Sequence, residues 1–274
     1  MTALLASDLD GTLIHHQGAY MPQGYVDPAD VAAVRAWREA GHLFVPASGR
    51  SVGNVRHGLA GTGLVGDHVL CHTGAVVADG ALVPVPGLTR ALDPGIVQGL
   101  CELLVGRDGV TVLATTTEED LILPDGRSGL PVAHNIPVTP EDLAGREVIA
   151  MPVHIPDCAQ SEQIAAEVEK RWPGQVSMSR SVGFADAVSA GVDKGTALRS
   201  MLDGPLAGRV DGPVIGVGDS WNDVPLFLAA DLGVAMRQAA PEVREAADLT
   251  CERVCDLIEG LLAGGIEELQ RSVG

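Results

Sequence analysis

The chain has 274 residues, with 36 acidic against 18 basic side chains and a formal charge of −18 at pH 7. That surplus argues against nucleic acid and anionic membrane surfaces, both of which recruit clustered Lys and Arg. A hydrophobic content of 46% with 20% charged residues fits a folded globular protein rather than a disordered one, and the length allows one large or two modest domains.

The opening Ala3–Ser7 is a short apolar run ending in Asp8-Leu9-Asp10-Gly11-Thr12, the pattern of a buried strand entering a loop. Asp27-Pro28 supplies an N-cap and a first-turn proline. Val31, Val34 and Trp37 then recur at helical spacing, and Gly41 stops the helix. A second strand is expected over His42–Pro46, ending at Ser48-Gly49-Arg50, followed by a helix over Val52–Leu59. Strand, helix, strand, helix predicts parallel pairing with right-handed crossovers. Two further short strands are read around Thr73-Gly74.

The middle of the chain, 83–188, changes character. It offers helices from Asp93-Pro94 to about Val105 and from Cys158 to Trp172. Strands are expected near Val110–Thr115, Val148–Ile155, Gln175–Ser179 and Phe184–Val188, an α+β layer read as an insertion. The first pattern resumes after Gly191. Asp193 caps a helix to Leu202, Pro213–Val217 is a strand running into Gly218-Asp219-Ser220-Trp221-Asn222-Asp223, and a strand at Leu232–Ala235 and a last helix over Arg253–Ala263 follow. The expected division is a discontinuous core, 1–82 and 189–274, and an inserted domain, 83–188.

No apolar run is as long as a spanning helix, and Met1–Leu5 reaches an acidic residue by Asp8, so neither a membrane segment nor a secretory signal is expected. Cytoplasm is the expected compartment. The five cysteines, Cys71, Cys101, Cys158, Cys251 and Cys255, are odd in number and scattered. They read as buried, inert thiols rather than a disulfide framework. Cys251 and Cys255 are expected to share a helix face, too few ligands for zinc.

Four polar clusters fall at strand ends or helix starts, and the carboxyl edge of an open parallel sheet is where ligands bind. Asp8 and Asp10, two residues apart in an extended segment, point the same way. Carboxylates held this close need a cation or a proton. Asp219 and Asp223 add more negative charge to the same edge, and an all-oxygen set suits a hard ion such as Mg²⁺. Each cluster alone has a plainer reading: a turn for Asp8-Leu9-Asp10-Gly11, a helix cap for Ser48, a solvated side chain for Lys194. Together and in order, they point to chemistry. A cation in a helix's first turn also opposes the helix dipole, so Lys194 calls for an anionic partner.

Asp8-Leu9-Asp10-Gly11-Thr12-Leu13, Ser48-Gly49-Arg50, Lys194-Gly195 and Gly218-Asp219 with Asn222-Asp223 resemble the four ordered motifs of the haloacid dehalogenase superfamily. The insertion between the second and third motifs resembles that of its Cof-like phosphatases. The resemblance implies an α/β fold, a Rossmann-like parallel-sheet core with an inserted α+β cap, and an Mg²⁺-dependent phosphatase acting on a small phosphorylated metabolite such as a sugar phosphate. It implies Asp8 as nucleophile, forming an aspartyl-phosphate, and Asp10 as the acid and base that serves the leaving alcohol and then water. The metal set would be Asp8, Asp10 through its carbonyl, Asp219 and, one shell out, Asp223. Gly11, Ser48, Gly49, Lys194 and Asn222 would hold the phosphoryl group.

A phosphomutase on the same core and a non-catalytic phosphometabolite-binding protein are the alternative readings; oligomeric state is left open. Thr73-Gly74 and Arg237-Gln238-Ala239 depart from the Asn-Gly and Gly-Asn-Ala usual in Cof-like members. These departures bear on substrate choice rather than reaction type. His15, His16, His72, Arg127, His134 and Arg180 could face substrate but read first as structural or surface residues, as does Lys170. Trp221 packs within the fourth motif, and Asp186 stands at an acidic position near the cap's end.

Overall fold

The computed structural model describes residues 1–15, 24–64, 66–123 and 135–273, so His16, Arg127 and His134 lie outside the described residues. Leu4–Ser7 (β1) is buried at every position, as a central parallel strand requires. Pro28–Glu39 (α1) starts where expected: the Asp27 side chain accepts from Ala29 N–H at 2.8 Å, Pro28 occupies the first turn, and Gly41 follows with φ +88°. Leu43–Pro46 (β2), Val52–Leu59 (α2), His68–Cys71 (β3) and Val76–Asp79 (β4) complete the first half.

Pro84–Thr89 (β5) was not expected. It lies within the span read as insertion yet pairs antiparallel with β4, and its Val85 and Leu88 pack on the core cluster around Leu4, Val45 and Leu198. The second layer follows as Pro94–Leu104 (α3), Thr111–Thr115 (β6), Asp120–Leu123 (β7), Ile136–Pro137 (β8), Met151–His154 (β9), Cys158–Arg171 (α4), Val176–Ser181 (β10) and Phe184–Ser189 (β11). Its six strands run in the order β10-β11-β9-β6-β7-β8. One face of this sheet, with Val112, Ala114, Leu121, Met151, Val153 and Ala187, forms a core of its own with Ile96, Leu100 and Leu104 of α3 and Ile164 and Val168 of α4. Alternation sends Thr115, Asp120 and Asp186 to the opposite face. There all three contact the first layer.

The chain then returns through Lys194–Asp203 (α5), Val214–Gly218 (β12), Val224–Ala229 (α6), Leu232–Met236 (β13), Pro241–Glu245 (α7), Leu249–Cys251 (β14) and Val254–Val273 (α8). The five-stranded sheet, ordered β14-β13-β12-β1-β2, is parallel throughout, an α/β Rossmann-like core. β1 is followed by crossovers to β2 on one side, and β12 by crossovers to β13 on the other. The crevice beyond the carboxyl ends of β1 and β12 is therefore a topological switch point.

Two cysteine expectations are corrected. Cys251 ends β14 while Cys255 lies in α8, so they share no helix face, and Cys158 at the start of α4 is exposed. All five thiols are free. Among the described residues no helix is long and apolar enough to cross a membrane.

Candidate active site

The first loop continues the β1 ladder for one residue, because Asp8 N–H donates to Val217 O at 2.8 Å. This fixes the Asp8 carboxylate at the sheet edge with 5% of its surface exposed. Gly11 then turns with φ +84°, and a Cβ there would stand 2.3 Å from Asp219 Oδ2. Only glycine lets the carboxylate at the end of β12 come so near. Thr12 Oγ1 donates to Asp219 Oδ1 at 3.2 Å, joining the two loops from the other side.

Lys194 is the first residue of α5 and has none of its surface exposed. Its ammonium donates to Asp8 Oδ1 and Asp223 Oδ1, each at 2.5 Å. These two carboxylates are the anionic partners that its place in a first helical turn demands. Asp223 is held in turn by the backbone, its Oδ2 accepting from Asp219 N–H and Ser220 N–H at 3.0 Å each. A Cβ on Gly218 would meet Asp223 Cγ at 2.2 Å, so glycine at the end of β12 makes room for that carboxylate.

Ligand oxygens of Asp8, Asp219 and Asp223 all lie within 4.8 Å of one another. Burial, with Asp223, Asp219 and Asp10 nearby, pushes the Asp8 carboxyl well above the ordinary range despite the pull of Lys194. Asp219 is pushed up to about 7, first by burial and then by Asp223, against Lys194 and the Thr12 hydroxyl. Burial alone would lower Lys194, but Asp223 and Asp8 outweigh it and raise it, so it stays an ammonium. Three carboxyl groups around one ammonium form an all-oxygen cluster, a fit for a hard divalent cation. Both Asp223 oxygens already accept hydrogen bonds, whereas among the described residues the Asp219 carboxylate accepts only from Thr12, on Oδ1, so Asp219 is the better direct ligand and Asp223 the better support.

Asp10 stands apart from this cluster: its carboxylate takes a two-pronged contact from Arg50, Nε to Oδ2 at 2.6 Å and Nη2 to Oδ1 at 2.5 Å. Ser48 is fully buried and its Oγ accepts from Arg50 N–H at 3.1 Å, which leaves the hydroxyl proton for another acceptor. A Cβ on Gly49 would lie 3.8 Å from Asn222 Nδ2, and Asn222 Oδ1 is buried with no hydrogen-bond partner among the described residues. The structure thus brings Asp8, Gly11, Lys194, Asp219 and Asp223 together, with Asp10 and Ser48 joined beside them through Arg50.

Sequence reasoning gave no role to Arg50, Thr12 or Gln238, whose Nε2 donates to Gly11 O at 2.6 Å. The departure from Gly-Asn-Ala at 237–239 was the one hint of Gln238. His15 lies 3.8 Å from Asp30, and His72 is buried and held neutral, lowered to about 3 by burial. Arg180 stacks over Trp221 at 5.4 Å and also donates to Glu162. Lys170 is exposed on α4.

Comparison with known proteins bears on this arrangement. The profile of the haloacid dehalogenase-like hydrolases matches residues 5–261. YxeH of Bacillus subtilis (strain 168), a protein with a phosphatase name, is 26% identical over 272 residues, spanning 90% of this chain and 92% of its own. A phosphoglycolate phosphatase of Natronomonas pharaonis is 26% identical over 262 residues, 90% of each chain. Among solved structures, the HAD subclass IIB sugar phosphatase BT4131 superposes with a TM-score of 0.73 at 21% identity, over 99% of this chain and 98% of that one. The chain belongs to the haloacid dehalogenase-like hydrolases, with the Cof-like architecture. Within them it is a phosphatase.

Proposed function

We propose that the chain hydrolyses a phosphate monoester of a small hydroxylated metabolite, a sugar phosphate, with Mg²⁺ bound and through an aspartyl-phosphate on Asp8. The carrying observation is the pairing of a buried Asp8, held through Oδ1 by Lys194, with an Asp10 two residues on that is oriented separately by Arg50. Two carboxylates in one loop thus have different partners and can take different tasks.

Asp8 Oδ2 would attack phosphorus, forming the Asp8–O–P bond as the ester P–O bond breaks, while Asp10, once released from Arg50 and protonated, would give that proton to the departing alkoxide. Water then attacks phosphorus, Asp10 takes back a proton, and the acyl phosphate bond breaks to return Asp8 and release phosphate. Ser48, Lys194, Asn222 and the N–H groups of Gly11 and Gly49 would hold the phosphoryl oxygens. Asp8, Asp219 and the Asp10 carbonyl, backed by Asp223, would hold Mg²⁺, which supplies countercharge to those oxygens.

The same proposal divides the chain into a catalytic core, 1–82 and 189–274, and a substrate-selecting cap, 83–188, with β5 attached to the core side. An aromatic content of 3% leaves few flat platforms for a nucleobase, which favours a sugar or polyol leaving group. Five free thiols fit the cytoplasm. The test is phosphate release from an aryl phosphate with Mg²⁺, where Asp8→Asn should lose at least about 1,000-fold in kcat. Equal activity of the two proteins would overturn the nucleophile. A panel of hexose and pentose phosphates beside 2-phosphoglycolate tests the leaving group, and a preference for phosphoglycolate would overturn the sugar reading.

A further inference from the structure

His72 and Thr73 join β3 to β4 with φ of +49° and +59°. Left-handed backbone is uncommon for histidine and a genuine outlier for β-branched threonine. Such strain persists only where surrounding contacts fix it, and here the contacts form a pattern. Each residue gives its backbone N–H to the loop after β2 and its side chain to the inserted layer. His72 N–H donates to Arg50 O at 2.8 Å, and Thr73 N–H to Ser48 O at 3.0 Å. On the other side, His72 Nδ1 meets Thr115 Oγ1 of β6 at 2.9 Å, and Thr73 Oγ1 donates to Asp186 Oδ2 of β11 at 3.1 Å.

The histidine network has one self-consistent assignment. Thr115 Oγ1 donates to Ala150 O at 3.2 Å, so it accepts from His72 Nδ1–H, and His72 Nε2 is then free to accept from Val52 N–H at 3.4 Å. Burial keeps the ring neutral, as that assignment requires. All four side chains are buried: Thr73 shows none of its surface, His72 1%, Thr115 4% and Asp186 6%.

We propose that His72 and Thr73 are positioning residues that tie the docking of the inserted layer to the geometry of the Ser48–Arg50 loop. The inference rests on the reading of that loop as the phosphate cradle. One arm runs from Asp186 through Thr73 to Ser48. The other runs from Thr115 through His72 to Arg50, whose guanidinium holds Asp10. When Thr115 and Asp186 are in place, their hydrogen bonds offset the backbone strain and the loop is held. When they withdraw, the turn is free to relax towards negative φ, and the N–H groups leave Ser48 O and Arg50 O. Phosphoryl positioning would then be complete only with the cap docked over the substrate.

The test reads backbone hydrogen exchange at the His72 and Thr73 amides in the full-length protein, beside kcat and KM on an aryl phosphate. Thr115→Val and Thr73→Val each remove one hydroxyl at nearly constant volume. Both should speed exchange at those two amides by at least about tenfold while leaving the Asp8 amide, bonded within the core sheet, as in wild type. Both should lower kcat by about tenfold or more with a smaller change in KM. Thr73→Ser, which keeps the hydroxyl, should restore exchange and kcat together. Unchanged exchange at His72 and Thr73, a uniform rise across the core, or an intact kcat in both Val variants would each overturn the coupling. Failure of the underlying reading looks different: Asp8→Asn would retain activity while exchange at the two amides stayed as in wild type.

Discussion

A lysine with no exposed surface costs several kcal/mol to desolvate, and Lys194 accepts that cost because two carboxylates meet it. Removing one partner of such a group leaves the others buried and uncompensated. Lys194→Met should therefore lose about 3 kcal/mol or more of stability at pH 7 in urea unfolding, as well as activity. Lys194→Arg should not rescue it, because the planar guanidinium cannot place a single compact charge between Asp8 and Asp223. Asp186 acts in the opposite sense. Burial raises its carboxyl to about 7, against the Thr73 hydroxyl and Lys194. The folded state keeps a proton that the unfolded chain releases near 3.8, so the stabilising contribution is full below about pH 4 and is lost as pH rises towards 7. Wild type should lose more stability than Asp186→Asn between pH 4.5 and 7.5, and parallel curves would refute the assignment.

At the scale of elements, α5 shows why a buried lysine can sit in a helix's first turn. Asp193 accepts from Thr196 N–H at 2.6 Å, and Thr196 Oγ1 accepts from Asp193 N–H at 3.0 Å, a reciprocal cap that fixes where the helix begins. Asp193→Ala should cost about 1 kcal/mol, a fall of roughly 2–4 °C in melting temperature by calorimetry, with a larger fall in activity as Lys194 loses its anchor. These elements were legible in sequence because capping and strand-end chemistry restrict residue types locally: α1, α3 and α5 begin where Asp27, Asp93 and Asp193 cap them. Short or edge elements were not. β5, β7, the two-residue β8 and α7 owe their form to neighbours rather than to their own periodicity. The same limit hid Arg50, whose partner is 40 positions away, and Thr73, whose partner is 113 away. A motif shows residue types, but pairing across an insertion becomes visible only in three dimensions.

For the whole molecule, the acidic cluster links metal binding to folding. Asp219 is raised to about 7 by burial beside Asp223, so ionising it in the metal-free protein costs stability that a bound divalent cation would offset. Adding Mg²⁺ to a hundredfold excess over its dissociation constant should stabilise wild type by about 2.7 kcal/mol, read as a rise in melting temperature. Asp219→Asn should start more stable without metal and gain much less from it, and equal gains would remove Asp219 from the ligand set. The chain has only two lysines, Lys170 and Lys194, and this has a practical side. Lys194 is sealed as an ammonium beneath the sheet edge, whereas Lys170 lies on the outer helix α4 and Met1 is 93% exposed. Amine-directed reagents therefore have one lysine address on this chain, Lys170. A dye or surface attached at Lys170 would sit on the inserted layer, on the far side of its sheet from Asp186, leaving the ammonium at Asp8 unmodified.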